Sequence, residues 1–474
     1  MNVTLGTIAH DVGGTLHGAS GTELVRDVVI DSRRVGAGSL FVALPGERVD
    51  GHAFVTAAVA AGATGVLASH PVDAPHVLVA DTTVALGALA AGHRRRLDAI
   101  VVGITGSAGK TGTKDLLAWV LAAQGPTVAP PGSFNNDIGL PLTVLGADAT
   151  TRFLVLEMGS RRAGDIARLC AVAMPDIGVV LNVGTAHIGE FGSREAIARA
   201  KGELVEHASR IAVLNAADPL VAAMAPRAVG EVRTFSTDPR IDGDVRAENI
   251  TMGADGRASF LLVADSDRAS VALRVVGAHQ VPNALAVATT ALACGLSLAV
   301  VAQRLSTAEP ASRWRMEVHD RDDGVRIVND AYNANPESMR AAIDALVAMR
   351  RPGGKCLAAL GQMLELGDSS TTEHNALGRY VADRALDVLV AVDAPLIAEG
   401  ARASAVHVES VATVEDAAAA IEARCAPGDV VLVKASRGAR LERLADALLA
   451  GRCVQSPSAV GQNVPMPAPE SDRR

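Results

Sequence analysis

Residues 99–121 read AIVVGITGSAGKTGTKDLLAWVL, and the rest of the chain is best understood outward from them. The apolar run Ile100 to Ile104 reads as a buried strand, followed by a glycine turn, Lys110-Thr111 and a helix. Glycines let backbone N–H groups turn inward around phosphate oxygens, and a helix N-terminus adds positive potential. In that reading Gly106, Ser107, Ala108, Gly109, Lys110, Thr111 and Gly112 cradle a nucleotide triphosphate. Lys110 reaches the β- and γ-phosphates, and the Thr111 hydroxyl suits Mg²⁺. The strict eight-residue phosphate-loop spacing is not met, because Ile104 stands where its first glycine belongs and Gly103 is one residue off.

On either side, apolar runs alternate with helical patterns, which predicts parallel sheets covered on both faces. A first unit, residues 1–97, carries the short strands VRDVVI, SLFVAL, GVLAS and HVLVA and an Ala-rich helix over 53–61. A second, 98–311, adds FLVLEMG, DIGVVLNVG and RIAVLN, with a β-meander over 243–276. A third, 312–453, carries VRIVNDAY, KCLAALG, DVLVAV and DVVLVKAS and predicts a smaller Rossmann-like domain. Residues 454–474 are rich in Pro and Ser without apolar period and read as a disordered tail. Residues 284–302 read as one buried helix rather than a membrane span.

Composition narrows the function. The chain has 474 residues and a net charge of −8, with seven Phe, two Trp and two Tyr. There is neither a basic field for nucleic acid or membranes nor a supply of aromatics for stacking bases. Five scattered cysteines without a CxxC argue against disulfides or zinc and suit a reducing cytoplasm. The N-terminus lacks the pattern of a signal peptide.

Two more strands end in reactive side chains. Glu157 closes LVLEMGS and His187 follows VVLNV, and ligands of open α/β sheets gather at such strand ends. Glu157 and the Thr111 hydroxyl would suit Mg²⁺, with His187 an unusual third partner. The plainer readings are a surface carboxylate and a structural loop histidine. Lys201, in REAIARAKGELVE, is a surface lysine on spacing alone.

Taken together these motifs resemble the Mur ligases and, within that family, the branch that adds a D-alanyl-D-alanine dipeptide. ITGSAGKTGTK is similar to the family's ATP loop, although Gly112 stands where threonine is usual. SFNNDIGLPLT, with Asn135 and Asn136, resembles the segment that follows. GAHQVPNALA is similar to the GxHNxxNAxAA helix start, with Gln280 replacing the first Asn. DAYNANP (Asp330 to Pro336), GQMLELG followed by His374, and VLVKASRGARLE resemble the dipeptide-adding branch. In the last of these Ala435 replaces a glycine. IDSRRVGAGSLFVALPGERVDGHAF resembles a UDP-binding module.

The resemblance implies a three-domain α/β architecture: a small UDP-binding domain, a central parallel-sheet ATPase domain and a C-terminal Rossmann-like domain. It implies ATP-dependent joining of D-alanyl-D-alanine to UDP-N-acetylmuramoyl-tripeptide through an acyl phosphate, by a cytoplasmic monomer. A relative that adds a single amino acid is the alternative. ATP would meet Asn283, Arg315, Asp330 and Tyr332 besides the loop. Thr111, Glu157 and His187 would hold Mg²⁺, two ions in all. Lys110, Lys201 and His187 would act in catalysis, Lys201 as a carbamate. Asp31, Ser32, Arg33, Asp50, Gly51 and His52 would bind the UDP-sugar. Asn135, Asn136, Asn333, Asn335, Lys434, Ser436 and Arg437 would contact the remaining substrate. The turns Asp31-Ser32-Arg33 and Asp50-Gly51-His52 also read as ordinary polar turns.

Overall fold

The strand Ile100–Thr105 lies inside a nine-stranded sheet, between Ile177–Val180 and Phe153–Glu157 and parallel to both. A computed structural model of the chain describes this and the rest of residues 1–46, 49–186 and 188–451. His187 and the tail over 454–474 lie outside the described residues. The sheet runs on in parallel through Ile211–Asn215 and Glu231–Ser236 to Val245–Met252, and ends in the antiparallel strands Arg257–Ala264 and Asp267–Val276.

Alternation explains the unbroken apolar runs. Val102, Ile104, Phe153 and Val155 face one way, against the helices Lys110–Leu121 and Gln280–Ala293. Val101, Leu154 and Leu156 face the other, against Leu140, Leu169 and Leu204. Successive side chains of a strand point to opposite faces, so a strand covered twice must be apolar at every position. Truncating fully buried Leu156 to Ala would cost about 2–5 kcal/mol.

The N-terminal sheet runs Thr15–His17, His76–Leu78, Gly65–Ala68, Ser39–Val42, Asp27–Val29. Its core does not stop at residue 97. The helix Thr82–Arg94 buries Leu86 and Leu89 in the same cluster as Leu140 and Leu169 of the central layer, and His93 Nε2 lies 2.8 Å from the Ala147 carbonyl. The basic residues at its C-terminal end are tied down: Arg94 meets Asp176 and Arg96 meets Asp11.

The C-terminal sheet runs Glu317–Asp320, Arg326–Asn329, Val430–Lys434, Cys356–Leu360, Val388–Val392, His407–Val411, parallel except for its first strand. Helices Pro336–Ala348 and Ser370–Asp383 cover one face, Val414–Glu422 and Glu442–Leu449 the other. The fold is the expected three-part α/β architecture.

Two local expectations are corrected. The 284–302 segment is two helices, Gln280–Ala293 and Leu298–Thr307. Gly295 at φ +88° breaks them, a conformation that side chains with a Cβ rarely adopt. Strands Thr15–His17, Glu317–Asp320 and His407–Val411 are additional to those read from the sequence, being short or polar.

Candidate active site

The carboxyl ends of Ile100–Thr105, Phe153–Glu157 and Ile177–Val180 open into a cleft of about 1460 Å³. Its opposite wall comes from the C-terminal ends of Arg326–Asn329 and Val430–Lys434 and from the start of the helix Pro336–Ala348.

The glycine turn is held from both sides. Ala108 N donates to Asn182 Oδ1 at 2.9 Å and Asn182 Nδ2 returns a bond to the Ala108 carbonyl at 3.1 Å. Gly184 N donates to Ser107 Oγ at 2.9 Å. Gly109 precedes the Lys110–Leu121 helix at φ +84°, and a Cβ there would lie 2.6 Å from Asn283 Oδ1. Glycine is therefore required twice, by backbone conformation and by close approach. Gly112 differs: a Cβ there would meet only Gln280 Oε1, at 3.8 Å.

Lys110 curls back so that Nζ donates to the Gly106 carbonyl at 2.7 Å. Burial pushes its pKa down, with Glu157 raising it and Arg315 lowering it further. Thr111 Oγ1 donates to Glu157 Oε2 at 2.7 Å, and Glu157 Oε1 accepts from Ser133 Oγ at 2.8 Å and Asn135 Nδ2 at 2.7 Å. Glu157 is 1% exposed. Lys201 is not on the surface: the helix Arg194–His207 turns it into the cleft at 4% exposure. Burial first, then the Lys110 charge, hold its amine well below the usual lysine range. Among the described residues it has no ion-pair partner.

The facing wall is organised by an ion pair. Lys434, 2% exposed, donates to Asp330 Oδ2 at 2.6 Å and to the Asn333 carbonyl at 2.8 Å. Asp330 Oδ1 accepts from Met316 N, and the Trp314 carbonyl accepts from Tyr332 N, each at 3.1 Å. These bonds hold Trp314 and Met316 at positive φ, 60° and 50°. The Arg315 guanidinium lies 4.1 Å from the Tyr332 ring centre and that of Arg437 4.3 Å from Trp314. Ser436 Oγ accepts from Leu364 N and donates to the Ala334 carbonyl. Ala435 has ordinary negative φ, and its methyl group sits opposite Gly361.

The residues expected from the sequence divide into two groups. The loop 106–112, Asn135, Asn136, Glu157, Lys201, Asn283, Arg315, Asp330, Tyr332, Asn333, Asn335, Lys434, Ser436 and Arg437 all line this one cleft. Asp31, Ser32, Arg33, Asp50, Gly51 and His52 do not. Asp31 caps the turn Ser32–Arg34 and forks onto Arg33 at 2.9 and 2.7 Å, bonds that hold its carboxyl down at about 2. Asp50 caps Gly51–Phe54 and accepts a hydrogen bond from His52 Nδ1 at 2.6 Å, while His52 Nε2 accepts from Ser69 N at 3.0 Å. A Cβ at Gly51 would lie 2.7 Å from Leu44 backbone atoms.

Sequence reasoning passed over Asn182, Ser133, Arg194 and Glu337. Asn182 stands directly after the apolar run VVL, the same strand-end signal that marks Glu157. Arg194 donates to the Val183 carbonyl at 2.7 Å, and Glu337 accepts from Thr185 across the cleft; neither has a local pattern.

Family models match along the chain: "Mur ligase family, catalytic domain" at residues 25–104, "Mur ligase middle domain" at 104–291 and "Mur ligase, glutamate ligase domain" at 314–437. The chain is 44% identical to the UDP-N-acetylmuramoyl-tripeptide–D-alanyl-D-alanine ligase of Mycobacterium tuberculosis, over 95% of this chain and 98% of that one. A crystal structure of MurF from Acinetobacter baumannii superposes with a TM-score of 0.86 at 33% identity, covering 95% of this chain and 99% of that one. MurF from Thermotoga maritima in complex with ADP gives 0.79 at 32% identity, covering 90% and 97%. Similar over nearly its whole length to these enzymes and matched by these models in all three parts, the chain belongs to the Mur ligase family.

Proposed function

We propose that this chain uses ATP to join D-alanyl-D-alanine to UDP-N-acetylmuramoyl-tripeptide, producing the UDP-muramoyl-pentapeptide precursor of peptidoglycan. The tripeptide's terminal carboxylate attacks the γ-phosphate, ADP leaves, the dipeptide amine attacks the acyl carbon and phosphate departs. The observation that carries the reading is the cleft itself. Lys201 lies buried and Lys110 half-buried beside a glycine turn, neither in an ion pair among the described residues, in a chain 44% identical to a ligase of that name. That identity favours dipeptide addition over the addition of a single amino acid.

Two anions must meet, so the barrier is largely electrostatic and preorganised positive charge matters most. Lys110 and the N–H groups of 106–112 would hold the triphosphate. The Glu157 carboxylate with the Thr111 and Ser133 hydroxyls is an all-oxygen set that fits Mg²⁺. Among the described residues no three His, Cys, Asp or Glu side chains converge, so hydroxyl and phosphate oxygens would complete the shell. Mg²⁺ held there would offset the triphosphate charge. His187 is proposed as a further partner on resemblance alone. Burial favours the neutral form of the Lys201 amine, the form that adds CO₂ to give a carbamate and a proton; a negative side chain there would suit a second ion. Asp330 and Tyr332 are proposed at ribose and base, and Asp31 to Arg33 and Asp50 to His52 at the UDP-sugar. Unpaired Cys170, Cys294, Cys356 and Cys425 support a cytoplasmic setting, and no helix among the described residues is long and apolar enough to cross a membrane. We propose a monomer.

The test is mass spectrometry of UDP-muramoyl-tripeptide incubated with ATP and D-alanyl-D-alanine. An ATP-dependent gain of one dipeptide less water is expected. Gain with single amino acids alone would move the chain to another branch of the family.

A further inference from the structure

The helix Pro336–Ala348 reaches across the cleft at its N-terminus. Glu337 Oε1 accepts from Thr185 N at 2.6 Å and from Thr185 Oγ1 at 2.8 Å, and Asn335 Nδ2 points at the Ser107 carbonyl at 3.4 Å. Thr185 belongs to the segment that shapes the glycine turn: Gly184 N holds Ser107 Oγ, and Asn182 holds Ala108 on both its N–H and its carbonyl. The fit is close, since a Cβ on Gly184 would stand 2.7 Å from Glu337 Cδ. Two other links are Ser312 Oγ donating to Asp115 Oδ2 at 2.6 Å, at the start of the third unit, and an ion pair at the rim. Arg161 to Glu365 is an exposed pair, with Arg161 67% exposed, and such pairs contribute little. Glu337 instead makes two charge-assisted hydrogen bonds to a segment one residue from the phosphate cradle.

We propose that Glu337 is a positioning residue for ligation. Its carboxylate fixes the C-terminal wall, which brings the incoming amine, to the Asn182–Ala186 segment that sets the cradle. Phosphorylation of the carboxyl group is thereby coupled to the presence of a closed, dry site. Without the link the walls part, and water competes with the amine for the acyl phosphate. The inference rests on the ligase reading above.

The test uses the full chain as Glu337→Ala, Glu337→Gln and Thr185→Val. It follows ligation kcat, the KM of each substrate, and phosphate released per peptide bond formed. Glu337→Ala is expected to lower kcat by about 100-fold or more, the size of two lost hydrogen bonds to a charged group. It should also raise phosphate released above one per bond, with KM for ATP little changed. Glu337→Gln keeps an acceptor oxygen and should recover most of the rate and the tight stoichiometry. Thr185→Val keeps the backbone donor and should fall between. The inference is overturned if Glu337→Ala ligates like the parent at one phosphate per bond, or if Gln fails as badly as Ala. Should Glu337→Ala not fold, Thr185→Val decides: parent-like stoichiometry and rate overturn the inference, and excess phosphate supports it. A parent chain that makes no peptide bond at all would sink the ligase reading instead.

Discussion

On the central-sheet wall of the cleft, Lys110 and Lys201 have no carboxylate in contact among the described residues, and burial depresses both. On the facing wall, Lys434 is as buried as Lys201 but held by Asp330 at 2.6 Å, and Arg315 and Arg437 lie over aromatic rings. A buried cation with its own counter-ion is a structural element, and removing one partner strands the other. Lys201, with no such partner, and half-buried Lys110, favoured only by the nearby Glu157 charge, call for an anion from outside the chain or the loss of a proton. The contrast marks where an anionic ligand belongs and which wall only shapes its surroundings.

The largest expected effect follows from taking away an unpaired charge. Lys110→Ala should slow ligation about 100- to 1000-fold or more, while its melting temperature stays near the parent's. On the paired wall the opposite pattern is expected. Lys434→Ala leaves Asp330 without its cation and should lower unfolding free energy by about 3 kcal/mol in a denaturant titration. A Lys434→Ala chain of parent stability would erase the distinction between the walls.

Lys201 sharpens it through pH. Its folded pKa lies well below the 10.5 of an unperturbed lysine. Between those values the unfolded chain binds the extra proton, so this lysine's burden on the fold eases as pH rises. In bicarbonate-free buffer, Lys201→Met should therefore melt above the parent at neutral pH. The gap should close as pH approaches 10.5, the unperturbed value. A gap that widens with pH would contradict the assigned shift.

The smallest effects separate two glycines of one loop. Gly109→Ala puts a Cβ at positive φ against Asn283 and should cost about 1–2 kcal/mol and raise the KM for ATP. Gly112→Ala, in open space near the helix start, should stabilise by about 0.5–1 kcal/mol.

What could be read from the sequence was what is local. Strand, glycine turn, Lys110-Thr111 and helix are consecutive, and Glu157 ends an apolar run, so both were legible without coordinates. The alternation of apolar runs with helices likewise carried the three sheets. Short or polar edge strands such as His407–Val411 were not legible, because only one side of them is covered. Lys201 read as a surface residue because its helix is polar around it, and only packing against the sheet decides which face turns inward. Asp330 and Lys434, 104 residues apart, were expected at separate tasks and prove to share a hydrogen bond. Glu337 and Thr185 pair over 152 residues, a distance at which no sequence pattern speaks.

The account stands on a carboxyl group being phosphorylated beside Lys110. The most direct measurement labels the terminal carboxylate of UDP-muramoyl-tripeptide with ¹⁸O and follows the label through one round of ligation. One labelled oxygen is expected in the released phosphate, at a rate that collapses in Lys110→Ala. Departure of the labelled oxygen as water with none in phosphate, or transfer unaffected by Lys110→Ala, would contradict it.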